Sequence, residues 1–218
     1  VVYELDFRLR PNGAAGPIAT SLMALERHYG EHAWTWEKLA LTRGRILGEE
    51  TEFTRKLDRV IGQAITNEGE EARMASDILE MRQLMDEERP PRDAWDVKLV
   101  PGGLVDIEFL TQTEVLFGRV ERKRTTADTL LSLTGDELQN DNVTLYKAHA
   151  SFLGVIQVLR LCLDKELPPQ DGPRGMIELL LRQLDMPDMK AAEAYLKDTH
   201  RAVREIFLKR LEAYAALS

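Results

Sequence analysis

The chain has 218 residues, 44% of them hydrophobic, and a formal net charge of −8. That length suits one large domain or a domain with an appendage, and the acid excess argues against nucleic acid as the main partner, because phosphate backbones call for a positive surface. A single cysteine, Cys162, excludes an intrachain disulfide, and the lack of a leader-like start or a long apolar run points to a cytoplasmic protein with no membrane span.

In chain order, residues 1–10 alternate with period two. Val1, Tyr3, Leu5, Phe7 and Leu9 share one side, and Glu4, Asp6, Arg8 and Arg10 the other. This is the pattern of a half-buried strand. Pro11-Asn12-Gly13 and Gly16-Pro17 supply turn chemistry. Thr20 or Ser21 is placed to cap a helix through Tyr29, which Gly30 ends. A second helix covers 33–43, with Trp34 and Trp36 read as core anchors. A third covers about 49–65 and a fourth about 70–87, closed by Pro90-Pro91. Residues 95–100 read as extended, and the N-terminal strand is expected either to pair with them or to have its partners in sequence upstream of Val1. Gly102-Gly103 turns the chain into an interior helix from Leu104 to about Leu116. Further helices are expected over 126–133, 141–163 (capped by Asp141), 176–184 and from Pro187-Asp188 to Tyr214. Cys162 belongs to the core. The basic run Arg119, Arg122, Lys123, Arg124 reads as a solvated segment. The expected fold class is mainly α, a multi-helix bundle with a short N-terminal β-strand.

Three places carry chemistry. Asp6, with Arg8 and Arg10 near it, has the composition of a metal ligand beside a phosphate grip; the alternative is an ion-pair ladder on a sheet face. Arg43 and Arg45 face about 200° apart if their helix continues, but Gly44 is placed to end it and let them converge. Gly102-Gly103 precedes Asp106 and Glu108, whose charges already complement the helix N-terminus and would repel a phosphate. A structural reading is therefore preferred, in which Asp106 or Glu108 neutralises an arginine such as Arg43 or Arg45. His28 and His32 flank Gly30 and make a poor metal pair.

Taken together, the segments Val1-Val-Tyr-Glu-Leu-Asp-Phe-Arg-Leu-Arg-Pro-Asn-Gly-Ala-Ala-Gly-Pro17, Glu31-His-Ala-Trp-Thr-Trp-Glu-Lys-Leu-Ala-Leu-Thr-Arg-Gly-Arg45 and Gly102-Gly-Leu-Val-Asp-Ile-Glu-Phe109 closely resemble bacterial glutamine synthetase adenylyltransferase. The Ala-Trp-Thr-Trp-Glu stretch is most similar to the C-terminal, adenylylating half. The resemblance implies an enzyme that transfers AMP from ATP to a tyrosine of glutamine synthetase, removes it by phosphorolysis in its other half, and answers to PII signal proteins. It implies Mg²⁺, with Asp6 as the third metal-binding acid and catalytic group, and Arg8 and Arg10 close to the nucleotide. It also implies that residues 1–20 are the last strand and turn of a nucleotidyltransferase domain, and 21–218 a helical domain like that of the PII uridylyltransferase. The Gly-Ser turn and Asp-x-Asp pair that supply the other two acids in that superfamily do not occur in these 218 residues. Smaller departures are Lys38 where the family often has His, and Gly44 where it commonly has Ala. The chain is thus expected to be a C-terminal fragment, inactive alone. The rival reading is a helical module that docks glutamine synthetase or a PII protein.

Overall fold

A computed structural model describes residues 6–7, 10–11, 13–66, 69–123, 125–133, 139–162 and 169–217. The described residues are mainly helical: α1 Leu22–Glu31, α2 Thr35–Thr42, α3 Glu52–Ala64, α4 Glu71–Glu88, α5 Leu104–Leu116, α6 Thr126–Ser132, α7 Gln139–Cys162, α8 Arg174–Leu184 and α9 Met189–Ala215. The helix starts follow local capping chemistry. Ser21 Oγ accepts from Ala24 N at 3.2 Å, Thr51 Oγ1 from Thr54 N at 3.2 Å, and Asp188 Oδ1 from Ala191 N at 2.8 Å. Each such cap satisfies a donor that the first turn leaves unpaired and stabilises by about 1 kcal/mol. Several starts differ by a few residues from expectation, α2 at Thr35 and α8 at Arg174 among them. Thr51, not a residue near Glu49, caps α3, and Asp141 lies inside the first turn of α7 rather than at its cap.

The long helices build the core. α4 packs along α9, α8 against α7, and α5 runs between α2, α7 and α9. Met74 and Ile78 of α4, Ile107 and Leu110 of α5, Phe152 of α7, Leu180 of α8, and Leu196, Val203 and Phe207 of α9 are all sealed from solvent. Each such side chain contributes roughly 1.5–3 kcal/mol of burial free energy. α5 is interior, as its sequence indicates, with eleven of its thirteen residues buried.

Four expectations need correction. First, there is no strand among the described residues. Asp6, Phe7 and Arg10 have no regular structure, and the other residues of the alternating segment (1–5, 8 and 9) lie outside the described set. Second, the proposed partner strand at 95–100 is a series of turns. Asp93 Oδ1 accepts from Trp95 N at 2.8 Å, and the Asp96 carbonyl accepts from Leu99 N and Val100 N at 3.2 and 3.1 Å. Aspartates that bond their own backbone two or three residues on favour turns over ladders. Third, Trp34 and Trp36 are not core anchors: they are 71% and 44% exposed. Trp34 is held instead by its backbone, whose N–H donates to Glu37 Oε2 at 2.9 Å at the start of α2. Fourth, Cys162 is half-buried against the core rather than within it.

Beneath α5 lies a charged hub. Asp106, fully buried, accepts from Arg82 Nε, from Gly102 N at 2.8 Å and from Arg204 Nη1 at 2.9 Å. Arg82 is 1% exposed; it also pairs with Asp86 and donates to the Leu99 carbonyl at 2.9 Å. Arg204 reaches Asp86 at 3.4 Å. Two acids and two arginines from α4, α5 and α9 thus balance one another and fix the 99–102 turn against both long helices. Near the far end of α9, buried Arg210 donates to Asn142 Oδ1 at 2.7 Å, and Tyr214 Oη donates to Glu114 at 3.0–3.1 Å. Burial raises the Glu114 pKa and raises Tyr214 more strongly still, with the Glu114 charge adding to the second shift.

Candidate functional site

Of the three N-terminal candidates, the structure describes two. Asp6 is exposed on irregular chain; Arg8 lies outside the described residues. Arg10 is half-buried and turned onto its own backbone, with Nη1 donating to the Phe7 carbonyl at 2.6 Å and Nε to the Gly16 carbonyl at 3.2 Å. Arg10 therefore staples the 7–16 turn in this structure. Mg²⁺ demands near-octahedral oxygen coordination. Among the described residues no group of three or more His, Cys, Asp or Glu is arranged to hold a metal ion. Asp6 offers one carboxylate, so the described residues do not by themselves fit a Mg²⁺ site.

The side chains that do converge line a cleft of about 470 Å³ between the end of α2, the outer face of α5, the α5–α6 connection and α7. α2 stops at Thr42, and Arg43 is its C-cap. Gly44 N closes the turn onto the Leu41 carbonyl at 2.9 Å. The helix thus ends where Gly44 allows it to, and Arg43 and Arg45, which a continuing helix would have thrown apart, border the same cavity. Arg122 holds this exit in place. Its Nη1 donates to the Gly44 carbonyl at 3.1 Å and its Nη2 to Asp58 Oδ1 at 2.5 Å. The basic run is therefore not simply solvated: Arg122 braces the α2 exit, Lys123 lines the cleft, and Arg119 lies 6.0 Å from the Tyr214 ring centroid. Arg124 lies outside the described residues.

The acid–arginine pairing expected from sequence, Asp106 or Glu108 with an arginine of another segment, is realised. Glu108 meets Arg43 at 3.2 Å across the cleft. Asp106 does not join them; it faces the opposite way, into the Arg82–Arg204 hub. The residue type was legible, but a helix turns about 200° between positions 106 and 108 and so sends the two acids to different partners.

Two further residues of the cleft were not foreseen as functional. Gln112 on α5 and His149 on α7 are each only 8% exposed, and neither makes a hydrogen bond with the described residues. Burial, and secondarily the Arg43 charge, lowers the His149 pKa below the usual imidazole value. A sequence signal existed for His149, which continues the Leu145–Phe152 stripe of α7. Gln112 had a weaker one, as an amide within an otherwise apolar interior helix.

The lowered His149 pKa has a defined consequence. In the unfolded chain the imidazole protonates near pH 6.5; in the folded chain protonation needs a lower pH. The folded state therefore binds fewer protons in that window. The stability that goes with a neutral His149 is complete above about pH 6.5 and is lost as pH falls through the folded-state value. Urea denaturation of the chain and of His149→Gln at pH 7 and pH 5 should show a smaller acid-induced loss in the variant; equal losses would refute the assignment.

Comparison with known proteins bears on the whole chain. Residues 1–60, which include Asp6, Arg10 and the Arg43–Arg45 exit, match the family model described as glutamate-ammonia ligase adenylyltransferase. Proteins named bifunctional glutamine synthetase adenylyltransferase/adenylyl-removing enzyme are similar across nearly the full chain. That of Mesorhizobium japonicum is 38% identical over 211 residues, 95% of this chain and 21% of the relative. That of Agrobacterium fabrum is 35% identical over 215 residues, 95% and 22%, and that of Brucella suis 38% over 215 residues, 96% and 22%. The chain spans about a fifth of the length of the relatives it matches. Along 95% of its residues, the chain is thus similar to one part of proteins of the glutamate-ammonia ligase adenylyltransferase family.

Proposed function

We propose that this chain is the helical part, with one edge of the catalytic part, of a larger enzyme that transfers AMP from ATP to a tyrosine of glutamine synthetase and regulates nitrogen assimilation. The observation that carries this reading is the similarity to proteins named for that activity over 95% of the chain. Asp6 contributes one acid to a Mg²⁺-dependent centre whose other acids lie in other parts of the enzyme. Arg8 and Arg10 lie beside the nucleotide, and Arg10 leaves the Phe7 and Gly16 carbonyls to do so. This chain alone does not transfer AMP, because one carboxylate cannot hold the paired metals of in-line displacement. Residues 1–20 belong to the catalytic domain and 21–218 to the helical one.

A second reading has support of its own. Ile18, Met23, Trp34, Leu47 and Phe53 are each at least 60% exposed. They fall within one stretch of sequence, and exposed apolar side chains, where they form a contiguous patch, mark interaction sites. In this reading the helical body docks glutamine synthetase or a PII protein, and the catalytic centre acts on what it holds. No helix among the described residues is long and apolar enough to cross a membrane. The test is transfer of label from α-labelled ATP to glutamine synthetase, by this chain and by the full-length protein. Transfer by the full-length protein alone supports the first reading. Capture of glutamine synthetase by this chain without transfer supports the second as well. Transfer by this chain alone overturns the proposed division of the site.

A further inference from the structure

We propose that the cleft between α2, α5 and α7 is a binding site for a small organic phosphate, held by Arg45 and Lys123 and read by Gln112 and His149. No comparison assigns this site, and it stands independently of the adenylyl-transfer reading.

The first support is charge. The chain as a whole carries −8, yet the cleft brings together Arg43, Arg45 and Lys123 against the single acid Glu108. Glu108 is already matched by Arg43 at 3.2 Å. Lys123 has one other partner, Glu121 at 3.1 Å, on a side chain 88% exposed and therefore weakly bound in water. Arg45 makes no ion pair or hydrogen bond with the described residues. Two positive charges thus remain to be matched, and a phosphate monoester carries about −1.5 to −2 at neutral pH. A guanidinium offers the fork that phosphate oxygens fill.

The second support comes from the walls. Gln112 and His149 are more than nine-tenths buried and line the cavity without a protein partner. Neither has a nitrogen or oxygen atom that is both sealed from solvent and unpaired, so these atoms face the cavity, where a ligand can replace the water that meets them. Neutral imidazole offers one donor and one acceptor, and the carboxamide offers both kinds. They suit the hydroxyl or amide edges of an organic group, not a second anion. The volume, about 470 Å³, falls in the range of small-molecule sites and far exceeds what a bare phosphate fills.

The experiment is an NMR titration of the ¹⁵N-labelled chain with inorganic phosphate and with ribose 5-phosphate, at constant ionic strength. Saturable shifts at the Gln112 side-chain amide and at the backbone of residues 43–45 are expected for both. The sugar phosphate should bind more tightly, because it reaches the polar wall. The double variant Arg45→Ala/Lys123→Ala should weaken both by about tenfold or more, through loss of charge-assisted contacts. Gln112→Leu should erase the advantage of the sugar phosphate while leaving inorganic phosphate unchanged. The double variant removes only side chains at the cleft mouth, and far-ultraviolet circular dichroism confirms its fold. Absence of saturation at millimolar ligand, equal affinity in the double variant, or no preference for ribose 5-phosphate would each overturn the proposal.

Discussion

Replacing Asp106 by alanine should lower the unfolding free energy by about 3–5 kcal/mol, the cost of leaving a buried charge without its partner. The carboxylate is fully buried and serves three donors on separate parts of the chain: Arg82 on α4, Gly102 in the turn and Arg204 on α9. Its removal strands Arg82, whose side chain is 1% exposed and has only Asp86 and the 99–100 carbonyls left. For a domain of this size the midpoint of thermal unfolding should fall by roughly 6–20 °C. Arg204→Ala should cost less, because that guanidinium is 24% exposed and water can replace it at the Asp86 side. Urea denaturation of the two variants gives the comparison. An Asp106→Ala loss below about 1 kcal/mol, the scale of an exposed pair, would show that the hub does not hold the fold.

Gly102→Ala is the second large effect, expected at about 3 kcal/mol or more from left-handed backbone strain and overpacking combined. Gly102 has φ +84°, and a Cβ there would run into the His200 carbonyl and approach Arg204 N on α9. Neither obstacle is the loose end of a side chain; both are helical backbone. The same turn donates Gly102 N to Asp106 and receives His200 Nδ1 at its carbonyl at 3.3 Å. Any shift that relieves the clash therefore disturbs the hub. Gly118→Ala is the control. Its φ is +66°, but nothing lies within 4 Å of a Cβ there. It should cost only the strain, on the order of 1 kcal/mol. Similar losses at the two positions would mean that close approach of α9 is not what requires Gly102.

These two sites show what could be read in advance. The double glycine was legible as a turn, and the acids after it as partners for arginines, because residue type and dipole arguments are local. Arg82 was the missed partner. It falls four residues after Ile78 on the buried Met74–Ile78 row of α4, so its place on an apolar stripe was visible while its counter-charge, 24 residues away, was not. Arg204 and Arg210 were hidden in the same way, since pairing across α9 depends on helix packing rather than on spacing within one helix. Helix existence was legible nearly throughout, from period and from Pro, Gly and capping residues. The extended reading of 95–100 failed because Asp93 and Asp96 bond the local backbone. Trp34 and Trp36, at and just inside the start of α2, misled because size alone says nothing of which face meets the core. Convergence of Arg43 and Arg45 was foreseen as one outcome of Gly44; the cleft they enter, with Gln112 and His149 on its far walls, needed three helices to be placed.

The most direct test of the central claim is AMP transfer by the full-length protein that contains this chain, measured as label passing from α-labelled ATP to glutamine synthetase, with and without Asp6→Asn. Robust transfer by the parent protein is expected. The variant should lose about a hundredfold or more, the scale on which removal of an electrostatic stabiliser acts, with capture of glutamine synthetase retained. Unchanged transfer in Asp6→Asn, or a parent protein that moves no AMP onto glutamine synthetase, would contradict the claim.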